Sequence, residues 1–384
     1  MKLKVKNKLM HKMISIKEAK TKKELLEYIQ FPFTLYKDNP YWVPPLISDE
    51  LETFDTTKNP VFKTAEAYFY LAYKDNQVVG RIAAIVNWDE VNFQQKKKVR
   101  FGWFDIIDDI EVTKALLEKV YELGRKNNLE YVEGPMGFSN LDKVGVLTEG
   151  FDEIGTQITW YNNPYYATHL EQLGFTVEKK FVESFFPFSN VKPDFFEKAQ
   201  ELIKKRYQLR PINFKSTKEV LPYVEKMFDL FNESYAKLAS FVAISDEQKK
   251  YFKKKYIGFI NPEYIKCVED KDGNLIAFSI VMPSITKALQ KAKGKLFPFG
   301  FLHLLKAKKQ SKEVIFYLIG VHPDYQNKGV TAIIFNEYYT TFKENDVVKC
   351  IRSPELEENI AINLLWKNFN PTVHCRRKTY VKNL

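Results

Sequence analysis

EVIFYLIGVHPDYQNKGVTAIIFNEYYTTF, residues 313–342, is the stretch that decides the fold. The apolar, β-branched run from Val314 to Val321 reads as a buried strand. It breaks at Pro323, passes through Gln326, Asn327, Lys328, Gly329, Val330 and Thr331, and enters a helical pattern with apolar residues at Ile334, Phe335, Tyr338 and Phe342. A strand, a tight Lys/Gly loop and a helix in that order gather backbone N–H groups and a helix N-terminus at one point, which suits an anion such as a pyrophosphate. Gly329 lets the backbone approach such a ligand, and Lys328 adds a compact positive charge. The plain alternative is a strand–turn–helix with a surface lysine.

The spacing Val-x-Pro-x-Tyr-Gln-x-Lys-Gly-Val, Val321 to Val330, resembles the acyl-CoA-binding motif of the GNAT superfamily of N-acyltransferases. The resemblance implies that the strand, at Ile319 and Val321, pairs with pantetheine and that the amides of residues 326–331 hold the CoA pyrophosphate. Thr331 stands where the family usually has Gly or Ala.

At 384 residues the chain is long enough for two domains with full cores. Three cysteines (Cys267, Cys350, Cys375) lie far apart with no CxxC, and predict reduced thiols in a cytoplasmic protein. The histidines show no metal-ligand spacing, so no metal site is expected. The basic N-terminus has no apolar h-region, and the longest apolar run, Leu296 to Leu305, is too short to span a bilayer; an integral membrane protein is not expected.

Landmarks recur at an offset of about 196 residues. Thr21-x-x-Glu24 and Ser216-x-x-Glu219 are capping boxes, Asp75-Asn76-Gln77 and Asp272-Gly273-Asn274 are turns between apolar runs, and Asn163 and Asn359 open matching helices. The expected fold is α+β: two tandem GNAT-like domains, residues 1–190 and 191–384, each a mixed, mostly antiparallel sheet flanked by helices. The boundary falls in the polar stretch Ser189 to Pro193, with a helix over 194–206 opening the second domain.

Where the second half has its Lys/Gly loop, the first half has four carboxylates: Asp105, Asp108, Asp109 and Glu111. Anions there repel a pyrophosphate, so the first domain is expected to have lost CoA binding. Asp105 and Asp109 remain candidates to hold a substrate amine, against the simpler reading as helix caps.

The likeness to tandem GNAT proteins extends along nearly the whole chain, through Gly134-Pro135-Met136-Gly137-Phe138-Ser139-Asn140, Gly150-Phe151-Asp152, Pro354 to Asn359 and Arg376 to Tyr380, and is similar to bacterial ceramide synthases, which N-acylate sphingoid bases. It implies an acyl-CoA-dependent N-acyltransferase, with Asn359 and Trp366 flanking the thioester arm. Trp366 replaces the usual Tyr acid, and an indole cannot supply a proton. A general base is expected at the end of the strand Val347 to Arg352: Glu355, with Glu357 in reserve and capping as the alternative for both. Tyr235 and His374 are weaker candidates. The acceptor is a lipid amine such as a sphingoid base, or a small polar or protein amine; a non-catalytic acyl-CoA-binding protein is the third reading.

The net charge of +11 is concentrated: residues 2–23 carry nine lysines against Glu18, and residues 286–312 carry eight lysines and no acid. In 286–312 lysines flank an apolar centre that suits either peripheral contact with the anionic inner membrane face or docking on the chain itself. Nucleic acid is not expected, since lysine dominates arginine and no binding motif occurs.

Overall fold

The computed structural model describes residues 13–237, 241–257 and 260–384. Residues 2–12 of the basic N-terminal run lie outside them. Of the rest, Lys17 pairs with Glu24 and Lys20 with Glu18, so part of that run is neutralised locally.

Among the described residues, seven strands come from the first half: β1 (Ser15–Glu18), β2 (Ala65–Lys74), β3 (Gln77–Asn87), β4 (Lys98–Ile106), β5 (Tyr131–Gly134), β6 (Val146–Glu149) and β7 (Thr176–Pro187). Six come from the second: β8 (Arg210–Asn213), β9 (Ile265–Glu269), β10 (Leu275–Pro283), β11 (Glu313–Val321), β12 (Lys349–Leu356) and β13 (Thr372–Asn383). They form one sheet, in the order β1-β2-β3-β4-β5-β13-β7-β12-β11-β10-β9-β8, with β6 paired to β13. Most pairings are antiparallel; β4–β5 and β11–β12 are parallel. Helices cover both faces of each half, closing separate cores.

The order reads the same from either end once β1–β5 and β7 are matched with β8–β12 and β13. Its centre is an exchange. β13, the last strand of the second half, lies beside β5 of the first, and β7, the last strand of the first half, lies beside β12 of the second. Along the chain, β7 ends at Pro187 and the helix Pro193–Tyr207 opens the second half, with a 3-10 turn between. In space the halves do not separate there, because each sheet is completed by the other's final strand.

Several sequence landmarks form as expected. Thr21 caps the helix Lys22–Leu35 with Glu24 bonding back, and Asp75-Asn76 is a two-residue turn with φ of 52° and 60°. Ser216 differs: it makes no side-chain cap, and Glu219 instead accepts from the Lys215 amide at 2.7 Å. The Glu219 amide donates to the Ser216 carbonyl at 3.1 Å, and the α-helix gives way at Val220 to a 3-10 turn that contains Pro222.

Candidate functional site

β11 and β12 run side by side only from Glu313–Phe316 against Lys349–Arg352. Both then leave register. Phe316 and Leu318 face consecutive residues of β10, so Tyr317 is a bulge; on β12, Ser353 and Pro354 bulge between the β7 pairings of Arg352 and Glu355. Pro354 has no N–H to continue a ladder. The two strands diverge, and a cleft of about 700 Å³ opens between them.

Ile319 and Val321 line the cleft from β11, whose edge toward β12 has no strand partner beyond Phe316. The loop at its end is shaped by Asn327 (φ 62°) and Gly329 (φ 75°), two residue types that tolerate the left-handed region. Gln326 donates its side-chain amide to the Val321 carbonyl at 3.2 Å and ties the loop to the strand. Among the described residues, the backbone N–H groups of Asn327, Gly329, Val330 and Thr331 meet no acceptor. The helix that follows, Thr331–Glu344, has no acid in its first turn, so the positive end of its dipole is uncompensated. Four unpaired amides at an uncompensated helix N-terminus suit an anionic group such as a diphosphate.

Lys328 stands apart from the other loop residues. It does not line the cleft; its ammonium lies over the rings of Tyr207 and Tyr325, 5.5 and 5.2 Å from their centroids.

The opposite wall holds Glu355, Asn359 and Trp366. Asn359 caps the helix Ile360–Lys367, accepting from the Ile362 amide at 3.3 Å. Trp366 is buried among Phe186, Phe316, Phe335 and Phe369, and donates its indole N–H to Glu355 Oε1 at 3.0 Å. The other oxygen of Glu355 is paired with the Arg352 guanidinium. Burial is the largest influence on the Glu355 carboxyl and raises its pKa, despite the opposing pull of Arg352.

Glu357 is turned out of the cleft and paired with Arg376 on β13. That pairing is structural, joining β12's end to the exchanged strand, and leaves Glu355 as the carboxylate of this pair that faces the cleft. Tyr235 lines the cleft and donates to the Ile319 carbonyl at 3.1 Å; burial pushes its phenol up to about 12. His374 is packed against Phe185 away from the cleft, and burial lowers its pKa.

In the first half the corresponding opening is closed. β4 and β5 pair only over Lys98–Arg100, but Trp160, Tyr161 and Tyr166 fill the gap beyond, leaving about 10 Å³. Three residues, 107–109, join β4 to the helix Ile110–Lys126, where the second half uses nine, 322–330. Asp105 is no ligand site: it is ion-paired with Arg81 at 2.7 Å and accepts from Tyr36 at 2.9 Å, fully inside the core. Asp109 caps the helix and pairs with Lys74 at 2.7 Å. These contacts correct the reading of either as an amine holder.

The first half contributes a different segment. Ser139, Asn140, Leu141 and Asp142 form part of the cleft wall, and the Tyr317 hydroxyl donates to the Leu141 carbonyl at 3.3 Å, joining this loop to the β11 bulge. Asp142 Oδ2 accepts from the Ser139 amide at 2.8 Å, and burial raises its pKa. In the sequence, Gly134 to Asn140 carried only the likeness to tandem GNAT proteins; its place beside the cleft is seen in the fold.

No protein-family model matches the chain. It is 25% identical over 370 residues to Protein YghO of Escherichia coli (strain K12), covering 94% of each chain. It is 24% identical over 322 residues to the bacterial ceramide synthase of Caulobacter vibrioides, covering 82% of each. Among solved structures, the tandem GNAT protein from the clavulanic acid biosynthesis pathway matches with a TM-score of 0.57 at 11% identity, over 97% of this chain and 98% of that one.

Proposed function

The fold is that of tandem GNAT proteins, and we propose that this chain is an N-acyltransferase that uses an acyl-CoA bound in the second half only. The observation that carries this reading is the divergence of β11 from β12 onto a loop whose four amides have no partner. The residues that would hold the CoA are Ile319 and Val321 on the strand, Gln326, Asn327, Gly329, Val330 and Thr331 in the loop, and Asn359 across the cleft. Lys328 contributes charge near the loop rather than a contact inside it.

A thioester supplies an acyl group already activated for transfer, so the protein's own part is to position the amine and remove its proton. Glu355 is the cleft carboxylate suited to that: burial holds it closer to neutral pH than a surface glutamate, and Arg352 and Trp366 fix its orientation. The indole of Trp366 is engaged with Glu355 and offers no acid, so the departing thiolate leaves without help from this position.

The acceptor we propose is a lipid amine. The similarity to a bacterial ceramide synthase supports this, as does an apolar cleft wall built from both halves, including Met136, Val144, Ile158, Phe181 and Leu364. The competing acceptor is a small polar or protein amine. Titration of CoA by calorimetry, followed by mass spectrometry of products from mixed acyl-CoA and amines, tests the proposal. One CoA site per chain and an N-acylated long-chain amine support it; turnover restricted to acetyl-CoA and water-soluble amines assigns the small-amine reading. CoA binding without transfer to any amine leaves an acyl-CoA sensor.

A further inference from the structure

Between β10 and β11 the second half carries a helical hairpin, Thr286–Ala292 and Gly300–Gln310, where the first half has only the short helix Trp88–Asn92. One side of the hairpin docks on the first half. Ala288, Leu289 and Leu304 pack with Val43 and Leu46, and Gln290 donates to the carbonyls of Pro40 and Trp42 at 2.8 and 3.0 Å. Self-docking therefore accounts for one side of this segment.

It leaves the other side open. Phe297, Phe299, Leu302 and Leu305 are 75%, 67%, 50% and 52% exposed, and they fall within one turn-and-helix tip. Around them Lys287, Lys291, Lys293, Lys295, Lys306 and Lys309 are exposed, and none of these six is ion-paired to a described residue. The whole segment 286–312 contains no acid. A buried protein interface is depleted in unpaired lysines, whereas an apolar tip ringed by cations complements a bilayer whose acyl region is apolar and whose headgroups are anionic.

The base of the hairpin touches the cleft wall. Gln157 donates to the Pro283 carbonyl at 3.3 Å and Thr286 to the Gly155 carbonyl at 3.5 Å; the adjoining Ile158 lines the cleft. We propose that the tip 297–305 docks on an anionic lipid bilayer and holds the Ile158 side of the cleft toward it. The docking stands on the patch alone; its use in delivering a lipid acceptor rests on the acyltransferase reading above.

The test is flotation of the full chain with vesicles of phosphatidylcholine containing about 30 mol% phosphatidylglycerol, against pure phosphatidylcholine. The chain should float with the anionic vesicles and be released by high salt. Binding should fall about tenfold or more in Phe297→Ser/Phe299→Ser and in Lys306→Glu/Lys309→Glu. Both variants replace exposed side chains, and unchanged CoA calorimetry and circular dichroism show that they fold. No flotation of the parent chain overturns the proposal, as does flotation that neither variant alters, or a dimer that the Phe variant dissolves without vesicle binding. Flotation with no acyl transfer keeps the docking and rejects only the acyltransferase reading.

Discussion

Trp366 Nε1 donates to Glu355 Oε1 at 3.0 Å, so the indole on the cleft wall holds the candidate base in place. Because burial raises the Glu355 carboxyl, and the ionised form is the one able to take a proton, activity should fall as pH drops through a value above the ordinary 4.5. Glu355→Gln should lower kcat by about a hundredfold or more, abolish that acid limb and leave CoA affinity intact. A pH profile of kcat/KM on both proteins checks this, and full turnover in the variant would remove Glu355 from the mechanism.

The loop makes a sharper distinction between two neighbours. Gly329→Glu places a negative charge at the helix N-terminus and a side chain where φ is 75°, so CoA binding should weaken by at least about tenfold. Lys328→Ala removes a charge that sits over the rings of Tyr207 and Tyr325 without itself lining the cleft, and should weaken binding by only about threefold. Calorimetry decides; equal effects would mean that Lys328 swings inward when CoA binds.

Asp105→Asn should act on stability and not on the ligand. It breaks a buried ion pair with Arg81 and leaves that guanidinium uncompensated, a loss of about 3–5 kcal/mol. Denaturant unfolding should show the loss while the folded fraction keeps its CoA affinity.

Lys266 gives a pH signature. It is buried, donates to Asn213 and Thr341 at 2.7 and 2.8 Å, and burial lowers its pKa from 10.5 to about 8. Between those two values the unfolded chain binds more protons than the folded one, so this residue's contribution rises with pH across that window. The protonated form is the destabilising one, on the order of 3 kcal/mol below about pH 8. Lys266→Met should flatten the rise, measured as the difference in unfolding free energy between pH 8 and 10.

The loop 326–331 was legible because its signal is local: a strand, a proline, a lysine-glycine pair and a helix are all within thirty residues. The repeat was legible from turns and caps, which are also local. The exchange of β7 and β13 was not, because either strand satisfies the pairing needs of either neighbour, and the choice between them is made in three dimensions. Glu355 could be ranked ahead of Glu357 but not separated from it, on the same ground. A bulge at Ser353-Pro354 and an arginine from β13 separate them, and neither is visible in the segment itself. Likewise, nothing adjacent to Ser139–Asp142 announces that β11 will meet it.

The position of β13 bears on how the chain can be made. Its residues, 372–383, are synthesised more than two hundred residues after β5 and β6, the strands they pair with. A nascent first half thus lacks the strand that separates β5 from β7 in the finished fold, and until the second half is translated it either leaves that edge open or pairs β7 with β5 provisionally. A stop codon ahead of residue 372 would therefore leave unfinished the half that lies farthest from it in sequence.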